Sequence, residues 1–427
     1  MKVHYRPARE TWDSLCARPR ISTEEINDTV FSIIENVCLK GDEALLQYCE
    51  KYDGVRPSSF RVTAAEFEEA AASVPSSLKK AIATARKNIE KFHFSIMNPD
   101  PSMVVISTGI SCRVKNVPIE RAGLYVPGGS APLFSTVLML GIPARLAGCS
   151  DIVLCTPPQK DGKVNNVILY TAGLLGIGKV FKAGGAQAIA AMAFGTQTIP
   201  RVNKIFGPGN RFVTKAKELV QQYGTAIDMP AGPSEVLVIA DKSANPSFVA
   251  ADLLSQAEHG PDSQVILLSD NPELIEKVTV ETKEQLMALP RKDTAEKSLE
   301  NSLAVLLNSI DECVEFSNLY APEHLIINCL NYNSIADKIT SAGSVFLGPY
   351  SCESTCDYAA GPNHTLPTGG FAQSISGLTA DSFRKQIFFQ EVTAEGLALI
   401  GPVVTEMAES EELKAHSNAV KIRFRKE

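Results

Sequence analysis

Histidine is scarce in this chain, and most of its histidines lie beside acids, amides or helix-breaking residues. The 427-residue sequence contains six histidines, and four of them occur in such polar surroundings: His259, His324, His364 and His416. Imidazole exchanges protons and binds divalent metal ions near neutral pH, so these four histidines favour a joint catalytic or metal site. For each of them taken alone, a hydrogen-bonded structural role is the ordinary alternative.

Gln256 and His259 have the spacing of neighbours on one helix face. A helix is predicted from Pro246, with Asn245 as its N-cap, to His259, where Gly260 ends it. At positions i and i+3 the two side chains leave the same face of the last turn, where the negative end of the helix dipole favours a cation. An amide oxygen and an imidazole form a half-site for zinc or a similar ion. The alternative is a polar, solvated helix end.

Acids accompany two of these polar segments. Glu323 directly precedes His324 in a predicted loop before a strand, where a carboxylate and an imidazole can share proton transfer. Asp357 follows Glu353 by one turn in a predicted short helix after the strand at 344–348. On this pattern each of these last two acids is either a metal ligand or a helix charge without further function.

Two α/β segments must position these residues. Short apolar runs alternate with helical patterns over 121–241 and again over 246–348. Such alternation predicts right-handed crossovers and largely parallel sheets that are covered on both faces. The sequence therefore predicts a doubly wound α/β region and a second α/β pattern, preceded by helices near 23–52, 64–72 and 76–94.

Three glycine-rich segments follow predicted strands of the first α/β region and precede its helices. They are VPGGS at 126–130, GGAQ at 184–187 and FGPGN at 206–210. In a parallel sheet such loops share the carboxyl edge, where glycine admits a ligand and helix N–H groups favour a pyrophosphate. An ordinary turn between a strand and a helix would account for the glycines of any one of these loops, but three such loops on one edge favour a nucleotide site. The fingerprint is not the standard GxGxxG, since Gly176-Ile-Gly178 leads into a strand.

Composition argues against several other classes of protein. Hydrophobic residues make up 44% and charged residues 21% of the chain, which predicts a globular protein. The 41 basic and 48 acidic residues are dispersed and give a net charge of −7, so nucleic acid is not an expected partner. We expect no signal peptide and no membrane span. Ten cysteines without a framework spacing favour reduced thiols in the cytoplasm.

Eight segments of the sequence together resemble the histidinol dehydrogenase family. The resemblance runs in order from about residue 25 to the C-terminus, through GLYVPGG, GGAQAIAA, KIFGPGN, IDMPAGPSE, LLSQAEHGPDSQ, YAPEHL, CDYAAGPNHTLPTGG and AHSNAVKIR. It implies two successive NAD-dependent oxidations, from L-histidinol to L-histidinal and on to L-histidine, with one bound zinc ion (Zn²⁺) per subunit. It also implies a homodimer with exchanged C-terminal tails.

The resemblance implies a role for individual residues. The zinc ligands of the family correspond to Gln256, His259, Asp357 and His416. The acid–base pair corresponds to Glu323 and His324, and the NAD contacts correspond to Tyr125, Gln187 and Asn210. Further substrate contacts, beside His324 and the zinc ligands, correspond to Ser234, His364 and Glu411. Glu412 stands where the family usually has glycine.

The resemblance also implies the domain organisation. We expect two incomplete Rossmann-like domains with parallel sheets, a small N-terminal arm and a C-terminal helical tail. The expected boundaries are 1–23 for the arm, 24–120 with 236–378 for a first, discontinuous domain, 121–235 for a second domain and 379–427 for the tail. The first domain would carry the metal and catalytic residues, the second would bind the nucleotide, and the tail would reach the partner subunit.

Two other functions stay open on the sequence. A zinc hydrolase or lyase on the same scaffold would use Glu323 to activate water without a nicotinamide. A non-catalytic, two-lobed binding protein would use the same α/β halves, although the Glu-His pair and the lack of an export signal argue against it. Formation of NADH from the amino alcohol separates the dehydrogenase from both.

Overall fold

The computed structural model describes residues 1–18, 24–99, 102–128, 132–230 and 232–424. The chain forms two units, of which the first comprises Met1–Ile96 with Ile119–Phe383 and the second comprises Met97–Pro118 with Arg384–Glu427. Among the described residues, no helix combines the length and the apolar character that crossing a membrane requires.

The strands of the described residues belong to three sheets. In chain order they are β1 (Lys2–Tyr5), β2 (Val104–Ser107), β3 (Ile110–Pro118), β4 (Arg121–Tyr125), β5 (Asp151–Thr156), β6 (Lys179–Lys182), β7 (Lys204–Phe206), β8 (Ala226–Ile227), β9 (Glu235–Ala240), β10 (Gln264–Ser269), β11 (Leu303–Leu306), β12 (His324–Asn328), β13 (Ser344–Leu347) and β14 (Arg384–Val392).

The α-helices alternate with most of these strands. They are α1 (Trp12–Leu15), α2 (Glu24–Lys40), α3 (Asp42–Tyr48), α4 (Ala64–Ser73), α5 (Ser76–Ile96), α6 (Phe134–Ala147), α7 (Asn166–Leu174), α8 (Gly185–Phe194), α9 (Arg211–Val220), α10 (Pro246–Ala257), α11 (Pro272–Leu286), α12 (Lys292–Glu300), α13 (Ile310–Tyr320), α14 (Tyr332–Ala336), α15 (Glu353–Tyr358), α16 (Ala394–Ser410) and α17 (Lys414–Lys421).

One parallel sheet of the first unit has the order β1-β11-β10-β9-β12-β13. Every residue of β9, β10 and β12 is buried, which is why these strands read as continuous runs of Val, Ile and Leu. Helices α10, α11 and α12 share a core cluster with one face, and α13 shares a second cluster with the other.

The other parallel sheet of this unit has the order β6-β5-β4-β7-β8. If the strands are counted from β4 here and from β9 in the first sheet, β4–β8 and β9–β13 each have the order 3-2-1-4-5, and β1 adds a sixth strand at the edge of the first sheet. This is the order of a Rossmann fold that lacks its sixth strand. The predicted fold, with two incomplete Rossmann-like parallel sheets, is therefore confirmed.

The packing of the N-terminal residues differs from the expected domain boundaries. Strand β1, in the expected arm, pairs with β11 at the edge of the six-stranded sheet. Helices α2 and α5, expected in the domain of that sheet, contribute Val30, Val37, Ile82 and Ile89 to the two cores of the five-stranded sheet. An amphipathic helix shows in sequence which face is buried but not which sheet covers that face.

The second unit contains an antiparallel sheet and two helices. Strand β3 pairs with β14 along its whole length and with β2 on its other side. Helices α16 and α17 pack together, and Ser417 Oγ donates to Glu409 Oε1 at 2.8 Å between them. The expected helical tail is confirmed, whereas β14 was missed because nearly all its residues are exposed and show no apolar alternation.

Candidate active site

The candidate site is a cavity between the two parallel sheets of the first unit. Gly207–Gly209, at the carboxyl end of β7, line one side of it. Ser234 and Glu323, directly before β9 and β12, line it together with His364. The five-stranded sheet thus presents its carboxyl edge, where ligands of such sheets usually bind, and the six-stranded sheet presents its amino edge.

His259, Glu353 and Asp357 form a cluster of metal-binding groups at this amino edge. One ligand atom of each residue lies within 4.8 Å of those of the other two. His259 follows α10, which begins behind the predicted N-cap Asn245, and the two acids lie one turn apart on α15. Because α10 runs antiparallel to β9, its C-terminus returns to the edge where β9 begins.

Gln256 is fully buried beside this cluster. Its amide forms hydrogen bonds in one orientation, in which the nitrogen donates to Glu353 Oε2 at 3.0 Å and the oxygen accepts from the Glu235 N–H at 3.1 Å. The last turn of α10 therefore directs both Gln256 and His259 towards Glu353. Glu353 and Asp357, each of which the sequence left as either a metal ligand or a helix charge, both belong to the cluster.

His324 and Asp357 face each other with atoms that have no hydrogen-bond partner. His324 Nδ1 lies 3.2 Å from the carbonyl oxygen of Glu235, which can only accept, so Nδ1 carries the proton. His324 Nε2 lies 3.8 Å from Asp357 Oδ1, and both atoms are buried and unpaired. Burial lowers the pKa of His324 to about 3, so the ring is neutral. Since buried polar atoms are nearly always paired, this gap is suited to a polar ligand.

Glu323 is buried next to His324. Its Oε2 accepts a hydrogen bond from the Glu235 N–H at 2.9 Å and lies 3.6 Å from His324 Nδ1. Burial raises the pKa of the Glu323 carboxyl well above its ordinary value, and the neighbouring Glu235 and Asp357 raise it further. The Glu-His pair expected to transfer protons is thus held by the peptide of one residue on β9.

His364 connects this site to the five-stranded sheet. Its Nδ1 donates to the carbonyl oxygen of Asp357 at 3.0 Å, and its Nε2 accepts from the Thr136 hydroxyl, on α6, at 3.3 Å. Burial lowers the pKa of His364 to about 4, so this imidazole is also neutral. Ser234 lines the same cavity. Ser234 and His364, two of the expected substrate contacts, therefore lie at the cavity.

The residues expected to contact NAD lie at the carboxyl edge of the five-stranded sheet. Tyr125 ends β4, and its buried hydroxyl accepts from the Gly185 N–H at 3.0 Å. Gln187 is buried in the first turn of α8. Asn210 is the N-cap of α9, where its side chain accepts two backbone N–H groups. Two helix N-termini therefore open at this edge, and contact of these residues with NAD stays a prediction.

Glycine is required at two points along this edge. A Cβ on Gly184 would lie 2.5 Å from Pro157 Cβ, so the loops after β5 and β6 pack without space for a side chain. Gly207 has a φ of +123°, and a Cβ there would collide with the carbonyl oxygen of Tyr125. In the first predicted glycine loop, Gly129 and Ser130 lie outside the described residues.

The last two expected site residues belong to the second unit. Glu411 is the C-cap of α16, and His416 lies on α17; both side chains are exposed. Glu412, between them, has a φ of +60°, a left-handed conformation that glycine adopts without strain. Participation of Glu411 and His416 in the site stays a prediction.

Sequence reasoning missed Glu235 and Arg18. Arg18 Nε and Nη2 donate to Glu235 Oε1 and Oε2, both at 2.9 Å, and the Glu235 peptide contacts Glu323 and His324. The available signal was a carboxylate at the first position of a fully buried strand, since a buried acid needs a partner. The sequence does not indicate that the partner lies more than two hundred residues away.

Comparisons with known proteins agree with one another. A family model described as histidinol dehydrogenase matches residues 16–424. Histidinol dehydrogenase of Bacteroides thetaiotaomicron is 52% identical over 424 residues, 99% of each chain. That of Escherichia coli O6:H1 is 50% identical over 412 residues, covering 96% of this chain and 94% of the other. A crystal structure of histidinol dehydrogenase from Elizabethkingia anophelis matches with a TM-score of 0.96 and 52% identity, covering 99% of this chain and 98% of that one.

Proposed function

Since the chain belongs to the histidinol dehydrogenase family, and is therefore an oxidoreductase, we propose that it oxidises L-histidinol to L-histidine through L-histidinal. The reaction transfers four electrons to two molecules of NAD, consumes water and ends histidine biosynthesis in the cytoplasm. The observation that carries the proposal is His324, whose proton-free, unpaired Nε2 faces the unpaired Asp357 Oδ1 at 3.8 Å, next to Glu323, which lines the cavity.

The residues at the ends of α10 and α15 fit a zinc ion. The unpaired Asp357 Oδ1 and the His259 imidazole offer one carboxylate and one nitrogen ligand, and the Gln256 amide, turned so that its oxygen faces Glu353, would offer an oxygen ligand. We assign these three residues and, in a homodimer with exchanged tails, His416 of the partner subunit as the ligands. A zinc ion held by these residues would supply a Lewis acid that binds and orients the amino alcohol.

His324 is the proposed base in both oxidations. Each hydride that leaves for the nicotinamide must be accompanied by the loss of an O–H proton. The ring is neutral, and its Nδ1–H is engaged by the carbonyl of Glu235, so Nε2 is the atom that takes this proton. The same hydrogen bond fixes the tautomer and the direction of the Nε2 lone pair.

Glu323 is the proposed base for the water that adds to the aldehyde. Burial raises the pKa of this carboxyl, which makes its carboxylate a stronger base than an ordinary one. The hydrogen bond from the Glu235 N–H holds Oε2 in place and leaves the other carboxylate oxygen for water. This activation belongs to the second oxidation only, since the first consumes no water.

NAD is proposed to bind across the carboxyl edge of the five-stranded sheet. Tyr125, Gln187 and Asn210 lie along this edge, and the positive dipole ends at the starts of α8 and α9 favour a pyrophosphate. The loop Gly207–Gly209 continues from this edge into the cavity that Glu323 and His364 also line. A dinucleotide on the edge therefore has a short path for its nicotinamide to the proposed bases.

The test of this function is incubation of the zinc-loaded protein with L-histidinol and excess NAD. Two molecules of NADH and one of L-histidine for each histidinol support the proposal. Loss of histidinol without NADH favours the hydrolase or lyase, and unchanged histidinol recovered after long incubation favours the binding protein. Either of these outcomes in folded protein contradicts the dehydrogenase.

The zinc assignment has its own test in His259→Asn. This variant should lose bound zinc and turnover together, because an amide replaces an imidazole ligand at the end of α10. His4→Asn, on β1, is the control and should keep both. Full zinc content in His259→Asn, measured by elemental analysis, would remove His259 from the ligands.

A further inference from the structure

The peptide of Glu235 contacts both members of the proposed acid–base pair. Its N–H donates to Glu323 Oε2 at 2.9 Å, and its carbonyl oxygen accepts from His324 Nδ1 at 3.2 Å. One residue therefore sets the position of the carboxylate and the tautomer of the imidazole. A displacement of this residue would move both groups relative to the substrate.

The side chain of Glu235 is itself fixed by three hydrogen bonds. Arg18 Nε and Nη2 each donate to one of its carboxylate oxygens at 2.9 Å, and the Gly369 N–H donates to Oε1 at 3.0 Å. Only 2% of the Glu235 side chain is exposed. Two parallel bonds from a planar guanidinium fix the orientation of a carboxylate as well as its distance.

Arg18 also contacts the segment that leads to Glu323. Its Nη2 donates to the carbonyl oxygen of Tyr320 at 2.7 Å, and its guanidinium carbon lies 3.7 Å from the centroid of the Tyr320 ring. Tyr320 ends α13, and Ala321, with a φ of +51°, turns the chain towards Glu323. One guanidinium thus joins the start of β9 to the end of α13.

We infer that Arg18 is a positioning residue for the Glu323–His324 pair and that it acts through Glu235. The inference rests on the proposed function of that pair. Burial of an ion pair costs desolvation energy and often contributes little to stability. An ion pair whose buried acid supplies both backbone contacts to the bases is therefore explained by orientation of the bases.

Two conservative variants test the inference. Arg18→Lys keeps the charge but removes the two-pronged geometry, and Glu235→Gln keeps the shape but removes the charge. Each should lower kcat about 10–100-fold, because misplaced catalytic groups lose rate on this scale. The KM for NAD should stay unchanged, since the expected NAD contacts lie on the other sheet. The double variant should lose little more than the worse single variant, because all three break the same pair.

Arg9→Lys is the matched control. Arg9 also pairs with a glutamate, Glu315, at 2.7 Å and lies over an aromatic ring, that of Trp12, at 3.9 Å. It belongs to the same N-terminal segment, but both partners of its ion pair are more than half exposed. This variant should keep the wild-type kcat, since an exposed pair holds nothing at the cavity.

The outcomes distinguish this inference from the proposed function. Wild-type kcat in folded, zinc-loaded Arg18→Lys and Glu235→Gln overturns the inference, as does an equal loss in Arg9→Lys. If Glu235→Gln does not fold, Arg18→Lys decides. If the wild-type chain itself produces no NADH, the proposed function fails, and a crystal structure of Arg18→Lys decides the positioning: displaced Glu323 and His324 support it, and two intact hydrogen bonds to the Glu235 peptide overturn it.

Discussion

His324 illustrates how the surroundings of one residue determine its chemistry. Its ring is buried among the carboxylates of Glu323, Glu353 and Asp357, all within 4 Å of a ring nitrogen. Burial nevertheless lowers the pKa of His324, because the desolvated cation is disfavoured. The backbone carbonyl of Glu235 takes the single proton of the neutral ring. The other ring nitrogen, Nε2, keeps its lone pair in a buried polar site, as a general base requires.

Replacement of Glu323 by Gln separates the two half-reactions. Glu323→Gln should reduce the second oxidation by about 10²–10⁴-fold, because a carboxamide cannot take a proton from water. The first oxidation should lose less, since His324 keeps its hydrogen bond to Glu235. Rates with L-histidinol and with L-histidinal supplied directly measure the two steps.

Glu315→Gln is the control for this substitution. Glu315 lies on α13, which leads to Glu323, but its side chain is 59% exposed and pairs with an exposed arginine. Both half-reactions should proceed at wild-type rates in this variant. Equal losses of the two half-reactions in Glu323→Gln would show that this carboxylate has no special connection with water.

Helix ends carry five of the ten expected site residues of the first unit. Gln187 lies in the first turn of α8, Asn210 caps α9, Gln256 and His259 lie at the end of α10, and Asp357 lies near the end of α15. Unpaired backbone groups at helix ends favour bound charges, and the packed helix behind them holds the side chain rigidly.

Asn210→Ala tests whether one of these caps also serves the nucleotide. Loss of the cap should lower the free energy of unfolding by about 1 kcal/mol, because two N–H groups of α9 lose their acceptor. The KM for NAD should rise as well, if Asn210 contacts the dinucleotide. Chemical denaturation and steady-state kinetics measure the two effects.

Asn165→Ala supplies the comparison. Asn165 caps α7 of the same sheet by the same side-chain contact to a backbone N–H, and it is not an expected NAD contact. A similar loss of stability with an unchanged KM for NAD is expected. If the KM for NAD is also unchanged in Asn210→Ala, Asn210 caps α9 and does not contact the dinucleotide.

Glu412→Gly should stabilise the end of α16. Glu412 directly follows the C-cap and has a φ of +60°, where a side chain meets its own backbone and glycine does not. The gain in the free energy of unfolding should be about 0.5–1 kcal/mol, because the larger freedom of unfolded glycine offsets part of the relieved strain. Thermal unfolding measures it.

Glu406→Gly, an exposed position inside α16, is the matched control. Glycine there should lower stability by about 1 kcal/mol, since it only loosens a regular helix. A loss of stability in both variants would show that the left-handed backbone at Glu412 stores no strain.

At the scale of the molecule, two sheets that share the strand order 3-2-1-4-5 present opposite edges to one cavity. The five-stranded sheet contributes the loop after β7, and the six-stranded sheet contributes the residues before β9 and β12. A Rossmann-like sheet ordinarily binds ligands at its carboxyl edge. The cavity therefore lies between the carboxyl edge of the five-stranded sheet, where nucleotides usually bind, and the amino edge of the six-stranded sheet, where ligands seldom bind. The proposed acid–base pair lies at this amino edge.

Subunit mixing tests the expected exchange of tails. A His416→Ala chain and a His259→Asn chain should each be inactive. If the tail of one subunit completes the site of the other, each mixed dimer has one site with both defects and one with neither. Equal mixing with full subunit exchange should then restore about a quarter of the wild-type activity.

A tail that stays with its own chain gives a different result. Every site of the mixed dimer then keeps one defect, and no activity returns. Subunit exchange is verified independently with differently tagged chains, so that failure to exchange is not mistaken for this outcome. Absence of recovery after verified exchange would contradict the shared site.

Local patterns in the sequence determined many of the elements and the family. The apolar runs of β9, β10 and β12, the Asn245–Pro246 start of α10 and the glycine loops are set by burial, capping and backbone freedom over a few residues. Such short-range preferences are readable without a structure. The Glu323–His324 pair was likewise visible as neighbours in the chain.

Only the tertiary structure decided which of these elements meet. It brought Glu353 close to His259 and Asp357. It also placed Glu235, which is hydrogen-bonded to Arg18, so that its backbone forms hydrogen bonds with both proposed bases. It also packed α2 and α5 on the five-stranded sheet rather than the other. The physical reason is that an apolar face or a buried carboxylate specifies that a partner is needed, whereas its identity depends on packing between segments that are distant in the chain.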